Sequence, residues 1–460
     1  MKRDTEFRYS KLAAILREQI LSGYIKPGQY LMSENQLCKH YGLSRTSVRK
    51  SLDELLKEGL IIKKMGQGTI VSPDVIVPDD KRRTLRVLAT SPSYFADCSM
   101  QDLIDAFQAE HPDVEVKLLN FPTQGFWDAV RTCRELGLSP DLIYIADQQY
   151  FEEEDYDSFI DLGKPLADRL GAIYPRIIEP FRRNEAILAV PVTFSTVYLA
   201  YNPVLFAKYG IAEPQPDWSI EDFIRTAQKL TVDTNADGIV DQYGFSMSSF
   251  FSRWPIFAIQ NGFLFDENSD MEQIRRAFTF IHDLLYRYRV AHLSSHYPFS
   301  TDAFLHGKSG MVLTSSIELA GWRNEQMDFE PKIAAMPFGP EQGTLLLANA
   351  FMIPSDCGDA ELAQQFIRKA LSVEMQTKFS QDNKFLSVLP EVNEALWDHA
   401  TLETLNISNE QSANNYFHFE LFRDIDFLDN LQADMQLFWN GLESVDDAVN
   451  HLQKWLKRND

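Results

Sequence analysis

The chain is 460 residues long, and at about 150 residues per domain that length accommodates two to four domains. Hydrophobic residues make up 45% and charged residues 24%, a globular composition that excludes wholesale disorder. The net charge of −22 is unevenly spread: residues 1–72 hold 13 Lys and Arg against seven Asp and Glu, a net +6 against −28 for the remainder. A basic module on an acidic body is the asymmetry expected when one part of a chain meets a polyanion.

The opening MKRDTEFRYSK scatters charge where a secretion leader needs an apolar core, so a cytoplasmic location is expected. YSKLAAILREQILS then sets Leu12, Ile15, Leu16 and Ile20 on one helical face that Gly23 ends. Ser33 with Gln36 three residues on predicts the start of a short helix reaching about His40. Ser44 opens a third helix with an apolar stripe of Val48, Leu52, Leu55 and Leu56, stopped at Gly59. Ile61–Lys64, a glycine turn and Thr69–Val71 predict a two-stranded wing.

Residues 73–84, with two prolines and a charge cluster, read as a linker. Beyond it, short apolar runs alternate with helical segments, the α/β pattern of open sheets covered by helices. Ala186 to Ala207 runs 22 residues without a charge, yet its prolines and β-branched residues favour two buried strands over a membrane span. Cys38, Cys98, Cys133 and Cys357 are widely spaced, which points to reduced thiols and neither a disulfide framework nor a zinc site.

In the head, a short helix, a tight turn and a helix opening Ser-Arg-Thr-Ser-Val-Arg form a helix-turn-helix element for the major groove. Arg45 and Arg49 share a face and can fork onto guanine or phosphate. Ser44, Thr46 and Ser47 suit phosphate oxygens. Gly66 and Gly68 allow the wing backbone a close approach to the duplex. Taken together, YSKLAAILREQILSGYIKPGQYLMSENQLCKHYGLSRTSVRKSLDELLKEGLIIKKMGQGTIV resembles the winged-helix domain of the GntR family of bacterial transcription regulators. The family's Leu-Pro-Ser-Glu stands here as Leu31-Met32-Ser33-Glu34, and its Gly-Arg-Gly-Thr wing as Gly66-Gln67-Gly68-Thr69. The resemblance implies operator DNA as partner and a homodimer on it.

The body, from about residue 85 to 460, resembles family 1 extracellular solute-binding proteins, those that serve sugar transporters. The resemblance rests on Pro140-Asp141-Leu142-Ile143-Tyr144, ILAVPVTFSTVYLAYNPVLFAKYGI, DTNADGIVDQYGF, WPIFAIQNGFLFD, AFLHGKSGMVL and AFMIPSDCGDAELAQQFIRKAL. It implies a two-lobed periplasmic-binding-protein-like α/β domain with hinge crossings at 191–194 and 350–353. The ligand contacts it implies are Ser91, Ser93, Tyr94, Asp147, Gln148, Ser195, Phe251, Trp254, Ser315, Ser316 and Trp322. Aromatic faces and hydroxyls of this kind suit a small carbohydrate effector. Ile145 and Ile317 depart from the family, where an aromatic often stands.

Asp233, Asn235, Asp237 and Asp241, with Gly238 at the sixth position, resemble a calcium loop. Position 12 is Gly244, so the loop is no EF-hand, and calcium is expected as an optional ion while no cofactor is required. No GxSxG, HExxH or GxxxxGK[ST] occurs. Some GntR regulators carry an aminotransferase-like domain, but Lys308 is the only superficial pyridoxal-phosphate candidate, and a transport role conflicts with the head. The expected protein is a ligand-responsive repressor with no enzymatic activity.

Overall fold

The computed structural model describes residues 12–17, 19–21, 23–41, 43–64, 67–75, 82–135, 138–294, 302–318, 327–383, 385–407, 414–422 and 424–457. Gly66, Trp322 and residues 76–81, half of the expected linker, lie outside the described residues. The chain is α/β with a winged-helix head, and it divides into two units. The first holds residues up to 170, Phe181–Val190 and Asn349–Met375; the second holds Gly171–Pro180, Pro191–Ala348 and the chain from Gln376 onward. Two of these passages lie beside Pro191 and just before Ala350.

The head forms because each helix has a cap and one apolar face. Ser33 Oγ accepts from Gln36 N at 3.3 Å while Gln36 Oε1 accepts from Ser33 N at 2.8 Å, opening helix Glu34–Tyr41. Ser44 Oγ accepts from Ser47 N at 3.2 Å and opens helix Arg45–Lys57. That helix buries Val48, Leu52 and Leu55, whereas Leu56, expected in the stripe, sits one position round the helix and is exposed. Gly59 takes φ +76°, the left-handed turn that ends the helix. Arg17 bridges Glu54 at 3.0 Å and Glu58 at 2.5 Å, tying the first helix to the third. Ile61–Lys64 and Gly68–Val71 pair antiparallel as the wing, and Leu31 N adds a bond to Thr69 O.

In the rest of the first unit, strand Arg83–Ser91 is central, parallel to Val114–Pro122 on one side and to Leu142–Ala146 on the other. Residues 349–352 pair antiparallel with 143–146. The strand starts at Arg83, inside the expected linker, because Arg83 N bonds Asp113 O and its guanidinium pairs with Asp359 at 2.5 Å. A second difference is that the head is clustered with this unit, where a tethered, separate module was expected. Apolar packing described below accounts for it.

In the second unit, Tyr243–Ser248 pairs parallel with Ala291–Ser294 and with Ser309–Ser315, and the latter runs antiparallel to Val190–Tyr201. All twelve residues of Val190–Tyr201 are buried, which explains their lack of charge. Within the same uncharged run Ala186–Ile187 is a short strand ahead of it, as two strands were expected, and the run ends in helix Pro203–Lys208. Asn202 Oδ1 caps it, accepting from Val204 N at 3.0 Å, and Pro203 suits the first helical position. Among the described residues no helix is long and apolar enough to cross a membrane.

Candidate functional site

The third helix of the head presents the candidate nucleic-acid face. Arg45, Thr46 and Arg49 are exposed on its first two turns. Glu34, from the preceding helix, accepts from Arg49 Nε at 2.8 Å and from Arg45 Nε at 3.3 Å. Those bonds, Arg49's first, hold the Glu34 carboxyl below its ordinary range against the opposing effect of burial. The two guanidinium groups are thus spaced by one carboxylate while their remaining N–H donors stay open to solvent. Ser47 differs from expectation: it is buried, with its hydroxyl 2.9 Å from Ser44 Oγ, so it serves the helix cap and faces away from any phosphate. Gln67 and Gly68 are exposed at the wing tip, Thr69 is half-buried, and Tyr30 Oη reaches Gln67 Oε1 at 3.5 Å.

In the first unit the expected effector contacts gather at two strand ends. Ser91 closes strand Arg83–Ser91, Ser93 caps the helix Tyr94–Cys98, and Ser93 Oγ lies 3.2 Å from Tyr144 Oη. Burial raises the Tyr144 phenol well above its ordinary pKa, so it stays neutral. Tyr94 is half-buried. Asp147 is buried and Gln148 exposed at the start of helix Asp147–Glu152, with Gln148 bonded to Glu152 at 2.9 Å. Ile145 is wholly buried in the adjoining strand.

In the second unit, Ser195 Oγ accepts from Ser316 N at 2.8 Å, joining strand Val190–Tyr201 to the end of strand Ser309–Ser315. Ser315 Oγ accepts from Glu318 N at 3.2 Å. The sequence reading missed the charges at this point. Arg253 Nη2 donates to Glu318 Oε2 at 2.7 Å, with side chains only 2% and 1% exposed. Thr314 Oγ1 donates to the same oxygen at 2.8 Å. Glu318 Oε1 and Ser316 Oγ are buried with no hydrogen-bond partner among the described residues. The available signal was a charge in each of two apolar stretches, Arg253 between Phe251 and Trp254, and Glu318 after GMVLTSSI.

Trp254 is corrected. It is fully buried among Phe251, Phe265, Phe278 and Trp439, with ring centroids 5.3–5.9 Å away, and offers no face to a sugar. Phe251 packs in the same cluster, 5.1 Å from Phe422.

The 233–241 loop closes on its own polar groups. Gly238 N donates to Asp233 Oδ2 at 2.7 Å, Asp237 N to Asn235 Oδ1 at 3.0 Å, and Thr234 Oγ1 to Asp241 Oδ2 at 2.6 Å. Asp241 also meets Lys308 Nζ at 3.4 Å. The Thr234 bonds and that ammonium lower its pKa to about 2. A Cβ at Gly244 would collide with the Ala227 backbone, so no twelfth-position carboxylate fits. Among the described residues no three His, Cys, Asp or Glu converge to hold a metal. Lys308 is an ion-pair partner of the loop here.

Residues 8–71 match the family described as bacterial regulatory proteins, gntR family, and residues 102–404 match the bacterial extracellular solute-binding protein family. The arabinose metabolism transcriptional repressor of Halalkalibacterium halodurans is 41% identical over 64 residues, 14% of this chain and 17% of that protein. The probable fructoselysine utilization operon repressor of Escherichia coli is 35% identical over 63 residues, 14% of this chain and 26% of the relative. The chain therefore spans about a sixth to a quarter of these relatives' lengths. Among solved structures, a Listeria monocytogenes ABC substrate-binding protein in complex with cycloalternan aligns at TM-score 0.68 and 18% identity, over 82% of this chain and 98% of that one. A Thermotoga lettingae solute-binding protein bound with alpha-D-tagatose aligns at TM-score 0.68 and 16% identity, over 81% and 100%. At these identities the structural likeness speaks for the fold. With two thirds of its residues matched, the chain belongs to the bacterial extracellular solute-binding protein family, and it carries a gntR-family regulatory domain at its N-terminus.

Proposed function

We propose that the protein is a cytoplasmic transcription regulator that reads operator DNA with its winged helix and senses a small carbohydrate with its solute-binding domain. The observation that carries this reading is the exposed Arg45–Thr46–Arg49 face, braced by Glu34, on a chain otherwise built as a solute-binding protein. Positive side chains at the start of a recognition helix suit base edges and phosphates. A half-site read by one helix calls for a second copy, so a homodimer on a palindromic operator follows. The relatives named as repressors support a repressing sign, with ligand releasing DNA.

On the effector side, the support is chemical. Glu318 Oε1 and Ser316 Oγ are buried and lack hydrogen-bond partners among the described residues, beside a fully buried guanidinium. Leaving such groups unmet costs about 1–3 kcal/mol each, and a polyhydroxylated ligand would satisfy them. In the first unit, Ser91, Tyr94, Asp147 and Gln148 offer a second set of polar contacts. The named ligands of the structural neighbours, cycloalternan and tagatose, support a sugar. The test is a panel of mono- and oligosaccharides in a thermal-shift assay on the full chain. A saturable rise in melting temperature with one sugar, lost in Ser316→Ala, supports the reading. No response across sugars alongside a response to amino acids or peptides would overturn the carbohydrate assignment.

A further inference from the structure

The head buries more apolar surface than its own three helices require. Tyr24, 1% exposed, follows the first helix, and its phenol lies in the electrostatic field of Cys133, Arg86 and Asp141, all in the α/β part of the first unit. The His40 ring stands edge-on to Phe121, centroids 4.9 Å apart at 87°. Leu16, Tyr24 and Leu31 of the head face Leu119, Phe121 and Cys133 across a residual cavity of about 20 Å³, room for a single water. All six are no more than 5% exposed. At the rim, Lys39 Nζ meets Asp128 Oδ2 at 2.8 Å. Interfaces this apolar and close-packed resemble a domain interior more than a passing contact between tethered modules.

We propose that the head is docked on the first unit, on a surface made by the end of strand Val114–Pro122 and by helix Phe126–Glu135, so that the two move as one body. The docked face is not the DNA face: Arg45 and Arg49 keep 62% and 55% of their side-chain surface. The same helix reaches the effector side of its unit, where Trp127 Nε1 donates to Gln149 O at 2.7 Å, next to Gln148. Residues 73–84 are therefore not the route by which the body positions the recognition helix; the docked surface is. This inference stands on packing alone and holds whatever the body binds.

Zero-length carbodiimide coupling of the full chain, read by peptide mass spectrometry, tests it. Lys39 and Asp128 should join across the docked surface, and Lys63 and Asp53, 3.0 Å apart within the head, serve as the internal control. Phe121→Asp should abolish the Lys39–Asp128 product and keep the Lys63–Asp53 product. If that variant does not fold, His40→Asp sets a carboxylate against Phe121 and Asp128 from the head side and should do the same. A wild-type chain that yields the control product without Lys39–Asp128 overturns the proposal. So does a folded variant in which the cross-link is undiminished.

Discussion

The head and the second unit each hold an arginine–glutamate contact, and the two differ in everything except chemistry. Half-buried Glu34 meets Arg45 and Arg49 at the surface, with the arginines 62% and 55% exposed. Arg253 with Glu318 is 2% and 1% exposed. An exposed pair is worth about 0–1 kcal/mol and exchanges readily for a phosphate or a base. A buried pair is held by strong attraction set against the desolvation of both ions, so removing one partner strands the other's charge in the interior. The contrast separates an exposed arginine face from an ion pair enclosed in the interior.

Breaking each pair in turn sharpens the comparison. Glu318→Ala should cost about 3–5 kcal/mol in denaturant unfolding, because the Arg253 guanidinium loses its counter-charge inside the second unit. Glu34→Ala should cost about 1 kcal/mol or less, and equal losses at the two sites would erase the distinction. Arg45→Ala should leave the unfolding midpoint unchanged while weakening operator binding by about 1–3 kcal/mol at fixed salt. Unaltered binding would remove Arg45 from the interface.

A pH effect comes next. Burial, aided by Lys39, holds the His40 pKa below its ordinary value, and Asp128 opposes this. A depressed pKa means the native state prefers the neutral ring. Its contribution is complete above the ordinary histidine value and is lost as pH falls through the lowered native one. His40→Gln should therefore flatten the acid side of the stability curve relative to wild type, and parallel curves would contradict the assignment. The smallest effect concerns the 233–241 loop: chelator should leave the melting temperature unchanged. A drop reversed by calcium would show that the carboxylates rearrange around an ion.

Local signals were the most legible. Ser33, Gln36 and Ser44 announced the caps of the head because capping depends on residues three apart in sequence. The twelve-residue buried strand is legible from its lack of charge, whereas helix Pro203–Lys208 is not, because Asn202 marks its start only once its side chain is seen to cap it. Ser47 was misassigned since its side chain lies on the same turn as Arg45 and only burial separates them. What sequence spacing could not reach was contact between distant segments. Arg253 and Glu318 are 65 positions apart, and His40 meets Phe121 across the whole head-to-body junction. Trp254 shows the converse: the family resemblance implies a ligand contact there, and only its neighbours Phe265, Phe278 and Trp439 reveal an enclosed side chain.

The central claim is that one chain links sugar recognition to DNA recognition, and linkage must be reciprocal. The direct measurement is fluorescence-anisotropy titration of a labelled operator, obtained by in-vitro selection, with and without the sugar that most raises the melting temperature. Saturating sugar should weaken operator affinity by roughly 5–150-fold, with the operator weakening sugar binding by the same factor. Superimposable operator curves with and without a sugar that demonstrably binds would contradict it.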